Sequence, residues 1–174
     1  MKSVLSVLNN CKKRRIFNKY ANSKNNYARY SVAQHKRCPV YILEKLSNDI
    51  NYFVRCDVSL NPNCPVSILE KLSNDKHWKV RGDVTINFNC PAHILEKLSN
   101  DEDIEVIYRL VRNSNCPVNI LEKFKNNNDA TLQLSMVLNK KCPFYILKNI
   151  YKQNNSYLKK YIVKNPNWIF NEFE

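Results

Sequence analysis

The chain has 174 residues, of which 44% are hydrophobic, and a formal net charge of +13. This length is sufficient to bury a sizeable core. No apolar run is long enough to span a bilayer, and the first residues lack the pattern of a secretory signal peptide because their positive charge follows the apolar stretch. These features favour a cytoplasmic protein with no membrane partner.

The dominant feature of the sequence is a repeat of 26 residues. Cys-Pro pairs mark the starts of five units, at Cys38-Pro39, Cys64-Pro65, Cys90-Pro91, Cys116-Pro117 and Cys142-Pro143. A fixed period of this kind is typical of a solenoid, in which each unit buries its apolar face against its neighbours. A degenerate unit begins at Lys12, so six repeats cover residues 12–167. Residues 1–11 and 168–174 are expected to form half-unit caps on a single solenoid domain, residues 1–174.

Each repeat is predicted to contain two short helices. With the cysteine as position 1, proline at position 2 suits the first turn of a helix, and the apolar positions 3, 5, 6 and 9 follow helical spacing. A second helix should begin near position 13 and bury positions 17 and 21, for example Val54 and Val58. No segment alternates with period 2, so the predicted fold is all-α.

Asparagine recurs where the helices are expected to end. The chain contains one glycine, and asparagine is the residue that next best tolerates the left-handed conformation used at helix C-termini. The expected sites after the first helix of each repeat are Asn22, Asn48, Asn74, Asn100 and Asn126, and those after the second are Asn61, Asn87, Asn113, Asn139 and Asn165.

A unit such as NPNCPVSILEKLSNDKHWKVRGDV resembles the variant leucine-rich repeat family, a right-handed all-helical solenoid. The period of 26 is slightly longer than the family's usual unit, and the cysteine-rich iron–sulfur segment of one branch has no counterpart here. The Asp-x5-Arg element also resembles that of HEAT repeats. That resemblance implies that Asp49, Arg55, Asp75 and Arg81 join adjacent repeats through hydrogen bonds, and the family as a whole implies binding rather than catalysis.

Cysteine and histidine show no pattern of a metal or catalytic site. The repeat places successive position-1 cysteines roughly 10 Å apart, too far for a disulfide, and no CxxC cluster is present. We interpret these cysteines as small buried residues. The three histidines, His35, His77 and His93, occupy different repeat positions and are expected at the surface. We predict no metal, no cofactor and no enzymatic activity.

Charge is concentrated at the two ends of the sequence. Residues 1–37 hold ten basic residues and no acidic one, and residues 140–174 hold seven lysines against two glutamates. Basic residues interleaved with tyrosines, here Tyr20, Tyr27 and Tyr30, are typical of nucleic-acid binding. A solvated end cap is the alternative interpretation. The candidate nucleic-acid-binding residues are Lys12, Lys13, Arg14, Arg15, Lys19, Lys24, Lys36 and Arg37, together with the lysines between Lys140 and Lys164.

The second helices also carry large apolar residues opposite their core positions. Such a strip is typical of a protein-binding groove, although packing between repeats is the alternative. The candidates are Tyr52, Phe53, Leu60, Trp78, Ile86, Ile104 and Tyr108. Gly82, in the middle of a helix, suggests close approach of a neighbour near Trp78.

The sequence therefore favours a non-enzymatic repeat scaffold that binds a protein partner. Binding of nucleic acid through the basic terminal repeats is the alternative function. A DNA-modifying enzyme built on HEAT-like repeats is a remote third, because the carboxylates lie away from the basic ends.

Overall fold

A computed structural model describes residues 14–168 of the chain. Over these residues the protein is all-helical and contains no strand. Helix α1 covers residues 14–21 and is followed by eleven further helices. The first helices of repeats 2 to 6 are α3 (Val40–Leu46), α5 (Val66–Leu72), α7 (Ala92–Leu98), α9 (Val118–Phe124) and α11 (Phe144–Lys152). The second helices of repeats 1 to 6 are α2 (Asn26–Gln34), α4 (Tyr52–Leu60), α6 (Trp78–Ile86), α8 (Ile104–Arg112), α10 (Ala130–Val137) and α12 (Ser156–Ile162).

The structure confirms the predicted all-α fold of two-helix repeats. The chain divides into two compact units, Met1–Asn89 and Cys90–Glu174, and the boundary coincides with the start of repeat 4. In unit 1, the second helices α2, α4 and α6 pack side by side, and α3 and α5 lie against them. In unit 2, α8, α10 and α12 pack in the same order. The handedness of the array stays a prediction.

The core is built from most of the apolar positions that the period identified. Position 3 is an exception, since Val40, Val66 and Val118 are 40–50% exposed. In repeat 2, positions 5, 6 and 9 of the first helix are Ile42, Leu43 and Leu46, which are at most 1% exposed. Positions 17 and 21 of the second helix, such as Val54 and Val58, are fully buried. A two-helix unit of this size cannot cover these faces alone, so stability comes from stacking neighbours.

The helix starts differ by one or two residues from the prediction. Pro39 is the N-cap rather than the first helical residue, because its backbone is extended, with φ −64° and ψ 143°. Its carbonyl accepts hydrogen bonds from the N–H groups of Ile42 and Leu43. The second helix of repeat 2 begins at Tyr52 rather than near position 13, because Asn51 caps it by accepting a hydrogen bond from the N–H of Phe53 at 2.9 Å. Polar side chains fill this capping position in all six repeats, at Asn25, Asn51, His77, Asp103, Asp129 and Asn155.

The expectation that the recurrent asparagines adopt the left-handed conformation is wrong. Asn61 and Asn87, which follow the second helices, have φ of −66° and −69°. Among the described non-glycine residues, a positive φ occurs at Asn154 alone. The asparagines contribute through their amides instead. Asn87 Nδ2 donates to the carbonyls of Ser59 at 2.5 Å and Asn61 at 3.1 Å, and its Oδ1 accepts from the N–H of Asn89 at 2.8 Å.

The same asparagine contact occurs between successive repeats in both units. Asn61, Asn139 and Asn165 make the same pair of donations to carbonyls 28 and 26 residues earlier in the chain. All three are buried. Buried carbonyls need hydrogen-bond partners, so this position ties the loop of one repeat to the loop of the previous one.

The cysteines at position 1 are buried, as their place before the proline predicted. Cys38, Cys64, Cys90, Cys116 and Cys142 are at most 6% exposed and carry free thiols. Burial raises the pKa of each of these thiols to about 12. Packing therefore explains the recurrence of cysteine here. Within residues 14–168, no helix has the length and apolar character required to cross a membrane.

Candidate interaction surfaces

The second helices of unit 1 expose two rows of side chains on their solvent side. Phe53 and Tyr27 occupy position 16 of their repeats and are 48% and 65% exposed. Leu60 and Ile86 occupy position 23, two helical turns further on, and are 43% and 44% exposed. Lys79 continues the position-16 row on α6. We call the surface formed by Tyr27, Phe53, Leu60, Lys79 and Ile86 the second-helix face.

An aromatic stack supports one end of the second-helix face. The rings of Tyr52 and His77 are parallel within 9°, with centroids 3.7 Å apart. Phe53 stacks on Tyr52 at 4.2 Å, and Lys79 Nζ lies 5.2 Å from the Phe53 centroid. His77, expected at the surface, is half-buried and caps α6, where its Nδ1 accepts from the N–H of Lys79 at 3.2 Å. Ring stacking limits the motion of Phe53, so this anchor is held in place before a partner arrives.

Two carboxylates lie between the two rows of the second-helix face. Asp57 and Asp83 occupy position 20 on α4 and α6, and Asp83 is only 4% exposed. Gln34 Nε2 donates to Asp57 at 3.0 Å. Burial raises the pKa of Asp57, as does the charge of Asp83, and these effects outweigh the hydrogen bond from Gln34. Burial and a hydrogen bond to Asp83 raise the pKa of the Cys56 thiol. Of these two carboxylates, the half-buried Asp57 is the one that the middle of this face presents to solvent.

The structure divides the predicted apolar strip into exposed and packed residues. In unit 1, Phe53, Leu60 and Ile86 are exposed, whereas Tyr52 and Trp78 are half-buried. Position 19 of the same helices is buried, at Cys56 and Gly82, so packing between helices accounts for that position. Gly82 has no positive φ, so its backbone conformation does not require glycine.

Unit 2 carries the other two candidates of the strip. Ile104, the first residue of α8, is 43% exposed. Tyr108 is half-buried, and its hydroxyl hydrogen-bonds to Asp129 and Thr131. Burial and the hydrogen bond to Asp129 raise the pKa of Tyr108. Within unit 2, Tyr108 is therefore engaged with its own repeats, and Ile104 remains as the exposed apolar candidate.

Three of the four predicted inter-repeat residues, Asp49, Arg55 and Asp75, take part in bidentate ion pairs in unit 1, and the fourth, Arg81, donates to the carbonyl of Asp75 at 2.8 Å. Arg55 Nε and Nη2 lie 2.6 and 2.8 Å from the carboxylate oxygens of Asp75, one repeat later. Arg55 Nη1 also donates to the carbonyl oxygens of Asp49 at 2.7 Å and Ile50 at 3.2 Å. Arg29 pairs with Asp49 in the same way, so Arg29 is not available to an external anion.

Two further inter-repeat contacts were not foreseen from the sequence. In unit 2, Gln133 Nε2 donates to Gln153 Oε1 at 2.6 Å, and these glutamines occupy the repeat positions of Arg55 and Asp75. Lysines at position 8 form the second contact. Lys71 Nζ donates to Ser47 Oγ at 2.8 Å and Asn48 Oδ1 at 2.6 Å of the preceding repeat. The recurrence of lysine at position 8 was the available signal.

The described basic candidates lie at the surface of unit 1. They are Arg14, Arg15, Lys19, Lys24, Lys36 and Arg37, all exposed. Lys12 and Lys13 lie outside the described residues. Unit 2 has exposed lysines of its own, at Lys140, Lys141, Lys152, Lys160 and Lys164.

Some of these cations surround an open cleft in unit 1. The cleft has a volume of about 1080 Å³ and is lined by α1, α2 and the loop that leads into α3. Its charged and aromatic walls include Arg14, Tyr20, His35, Arg37 and Tyr41. The guanidinium carbon of Arg14 lies 5.3 Å from the centroid of Tyr41. We call this the basic cleft.

Groups suited to metal binding do not converge within residues 14–168. No three of the described His, Cys, Asp and Glu side chains lie close enough together to hold an ion. The described lining of the basic cleft includes no carboxylate.

A scan against protein-family models, a search of curated proteins and a search of solved structures each found no match to this chain. The class that the fold and surfaces define is an all-helical repeat protein. Its resemblance to the variant leucine-rich repeat family stays a prediction from the repeat pattern.

Proposed function

We propose that this protein is a non-enzymatic repeat scaffold that binds a protein segment on the second-helix face. The observation that carries the proposal is the pair of exposed rows on α4 and α6, with Phe53 and Leu60 on one helix and Ile86 on its neighbour. Second helices that pack side by side provide a firm surface for an extended or helical segment. The free thiols of the six described position-1 and position-19 cysteines fit a reducing compartment such as the cytoplasm.

The energy available from this face fits a modest affinity. Fully burying an aliphatic or aromatic side chain contributes about 1.5–3 kcal/mol. Phe53, Leu60 and Ile86 are roughly half-exposed already, so covering them gains about half of that each. A pre-ordered aromatic such as Phe53 is the kind of residue that dominates interface energetics. The three side chains together supply about 2–5 kcal/mol, which corresponds to a millimolar dissociation constant. We therefore expect micromolar binding only where apolar side chains of the partner contribute about as much again.

The acidic middle of the face indicates the chemistry of the partner. Asp57 lies between the apolar rows and is half-buried, so its carboxylate is accessible to a bound segment. A segment with apolar side chains on one face and a lysine or arginine near its centre matches this pattern. We therefore propose an amphipathic peptide segment with a central cation as the ligand class.

A displayed library of random 16-residue peptides, selected against the full-length protein at physiological salt, tests the proposal. We expect enriched peptides with apolar residues at i, i+3, i+4 or i, i+2 spacing around a lysine or arginine. Binding should fall at least tenfold in Phe53→Asp and Leu60→Asp variants. It should also weaken in Asp57→Asn, which keeps the shape of the side chain but removes the charge.

The matched control is Val66→Asp. Val66 is 40% exposed on the first helix α5 of the same unit, so the substitution places the same charge on a similar apolar residue away from the second-helix face. Peptides that bind the Phe53→Asp, Leu60→Asp and Val66→Asp variants as tightly as the unaltered protein would overturn the proposal. An empty selection with a folded, monodisperse protein would do the same.

Nucleic-acid binding is a second candidate function, because the basic cleft is an observation independent of the second-helix face. A DNA-modifying enzyme gains no support from this cleft, since its described lining offers no carboxylate for general acid or base chemistry.

A further inference from the structure

We propose that the basic cleft of unit 1 is a binding site for single-stranded nucleic acid, with Arg14 and Arg37 at the phosphates and Tyr20 and Tyr41 as stacking platforms for bases. The proposal is independent of the second-helix face and of what that face binds. It rests on the cavity, on the charge of its surroundings and on the placement of its rings.

The two charged side chains in the described lining of the cleft are both basic. The first acidic residue of the chain is Glu44, and every charged residue before it is basic. Arg29 is neutralised by Asp49, but Arg14 and Arg37 line the cleft and are exposed. Lys19 and Lys36 lie next to lining residues and are also exposed. An unopposed positive potential at a concave surface concentrates polyanions there.

The aromatic residues of the cleft are accessible and face cations. Tyr20 is 45% exposed and Tyr41 is 38% exposed. Lys19 Nζ lies 5.8 Å from the centroid of the Tyr20 ring, and the guanidinium carbon of Arg14 lies 5.3 Å from that of Tyr41. The rings of Phe17 and His35, which also line the cleft, meet edge to face with centroids 5.2 Å apart. Tyrosine rings beside arginine and lysine are the combination by which single strands are held without sequence preference.

The geometry favours a single strand over a duplex. Paired bases are stacked on each other, so they cannot use a tyrosine inside a cleft as a platform. A duplex binds chiefly through its phosphates and needs cations on a surface that follows a groove. The volume of about 1080 Å³ is at the upper end of the range for ligand pockets, so the cleft has room for more than one flipped-out base.

Fluorescence anisotropy with labelled probes tests the site in the full-length protein. The probes are single-stranded 12-mers of DNA and RNA, a duplex of the same sequence, heparin, and vesicles containing anionic lipid. We expect both single strands to bind more tightly than the duplex at physiological salt. Arg14→Glu with Arg37→Glu should weaken binding at least tenfold and reduce the salt slope by about 1.4, since two cations are removed.

The tyrosines give the decisive measurement. Tyr20→Ala with Tyr41→Ala should weaken single-strand binding about tenfold or more while leaving the salt slope and heparin binding unchanged. The matched charge control is Lys76→Glu with Lys125→Glu, which makes the same change of net charge on exposed lysines outside the candidate nucleic-acid-binding residues. Circular dichroism and thermal unfolding establish that each variant remains folded.

Three outcomes would overturn the inference. Equal affinity for heparin, duplex and single strands would show a charge-only surface. An equal loss of affinity in the control with Lys76→Glu and Lys125→Glu would show that binding depends on net charge rather than on the basic cleft. Preference for the anionic vesicles over every nucleic acid would identify the cleft as a lipid-headgroup surface.

Discussion

The guanidinium of Arg55 joins two repeats through four hydrogen bonds. It holds the carboxylate of Asp75 in the next repeat at 2.6 and 2.8 Å, and it also holds the carbonyls of Asp49 and Ile50 in its own repeat. The side chains of Arg55 and Asp75 are each 8% exposed. Because planar arginine can satisfy both partners at once, this position fixes the spacing between neighbouring repeats.

Removal of one member of this ion pair should destabilise the folded protein. Asp75→Asn keeps the shape of the side chain but leaves the charge of Arg55 without a counter-ion. We expect the free energy of unfolding to fall by about 3 kcal/mol, because breaking a buried ion pair exposes an uncompensated charge. Urea denaturation followed by circular dichroism measures this change.

A double-mutant cycle separates the pair from its surroundings. Arg55→Gln combined with Asp75→Gln recreates the Gln133–Gln153 contact of unit 2. We expect the double variant to lose less stability than the two single variants together, since the glutamines can hydrogen-bond to each other. Strict additivity of the single losses would show that the two side chains contribute separately.

The same pair predicts acid sensitivity. Burial alone raises the pKa of Asp75, but hydrogen bonds from Arg55 and from the N–H of His77, with the charge of Arg55, lower it below its ordinary value. The folded protein therefore binds this proton less readily than the unfolded chain does. This stabilisation is present above about pH 3.9 and is lost as the pH falls through the lowered pKa. Urea midpoints between pH 7 and pH 2.5 should show the difference between unaltered protein and Asp75→Asn shrinking at the acid end.

Asp57 should behave in the opposite way. Its pKa is raised in the folded state by burial and by the charge of Asp83, so its ionised form opposes folding at neutral pH. We expect Asp57→Asn to stabilise the protein at pH 7, and the gain should disappear at a pH low enough to protonate Asp57 in both states. A stability loss at pH 7 on the same urea assay would contradict this assignment.

The buried asparagines that join repeats should contribute several times more to the free energy of unfolding than exposed asparagines do. Asn87→Ala removes the hydrogen bonds to the carbonyl of Ser59 and the N–H of Asn89, whereas the carbonyl of Asn61 still accepts from the N–H of Cys64 at 2.9 Å. We expect a loss of about 2–4 kcal/mol, because unsatisfied buried polar groups cost about 1–3 kcal/mol each and partial hydration offsets some of this. The control is Asn48→Ala, at an exposed asparagine that accepts from Lys71 at 2.6 Å, where the expected loss is below about 1 kcal/mol.

The buried cysteines should resist modification in the native state. Burial raises the pKa of Cys38, Cys64 and Cys142 to about 12, so almost no thiolate is present at pH 8. A Cys11→Ser variant, which removes the cysteine outside the described residues, should react negligibly with a thiol reagent and then label fully in denaturant. Rapid labelling under native conditions at any of the remaining cysteines would show local opening of its repeat.

The sequence alone predicted the elements that depend on periodicity. The 26-residue period placed Leu43, Val54 and Val58 in the core, and it also explained a buried cysteine before each proline. These features repeat in sequence because each repeat faces the same neighbours. The period also identified Asp75 and Arg55 as recurrent polar positions, and the resemblance to HEAT repeats indicated their role.

The role of the asparagines could not be found in the same way. The sequence does not distinguish an asparagine that adopts the left-handed conformation at a helix end from one whose amide binds the loop of the previous repeat. The contact of Asn87 with Ser59 joins residues 28 positions apart, and no local preference encodes that distance. The contact between Gln133 and Gln153, which replaces the Arg–Asp pair, was also not predictable from the sequence. Two neutral amides do not show the opposite charges by which an ion pair is recognised.

The sequence by itself determined that this chain is an array of two-helix repeats, because a periodic apolar pattern can be buried only by stacking like units. Only the tertiary structure decided which surface residues are available for binding. It assigned Arg29, Lys71 and Tyr108 to internal contacts, and it left Phe53 and Arg14 exposed. The physical reason is that exposure depends on neighbours from adjacent repeats, whose side chains differ at each position even where the backbone repeats.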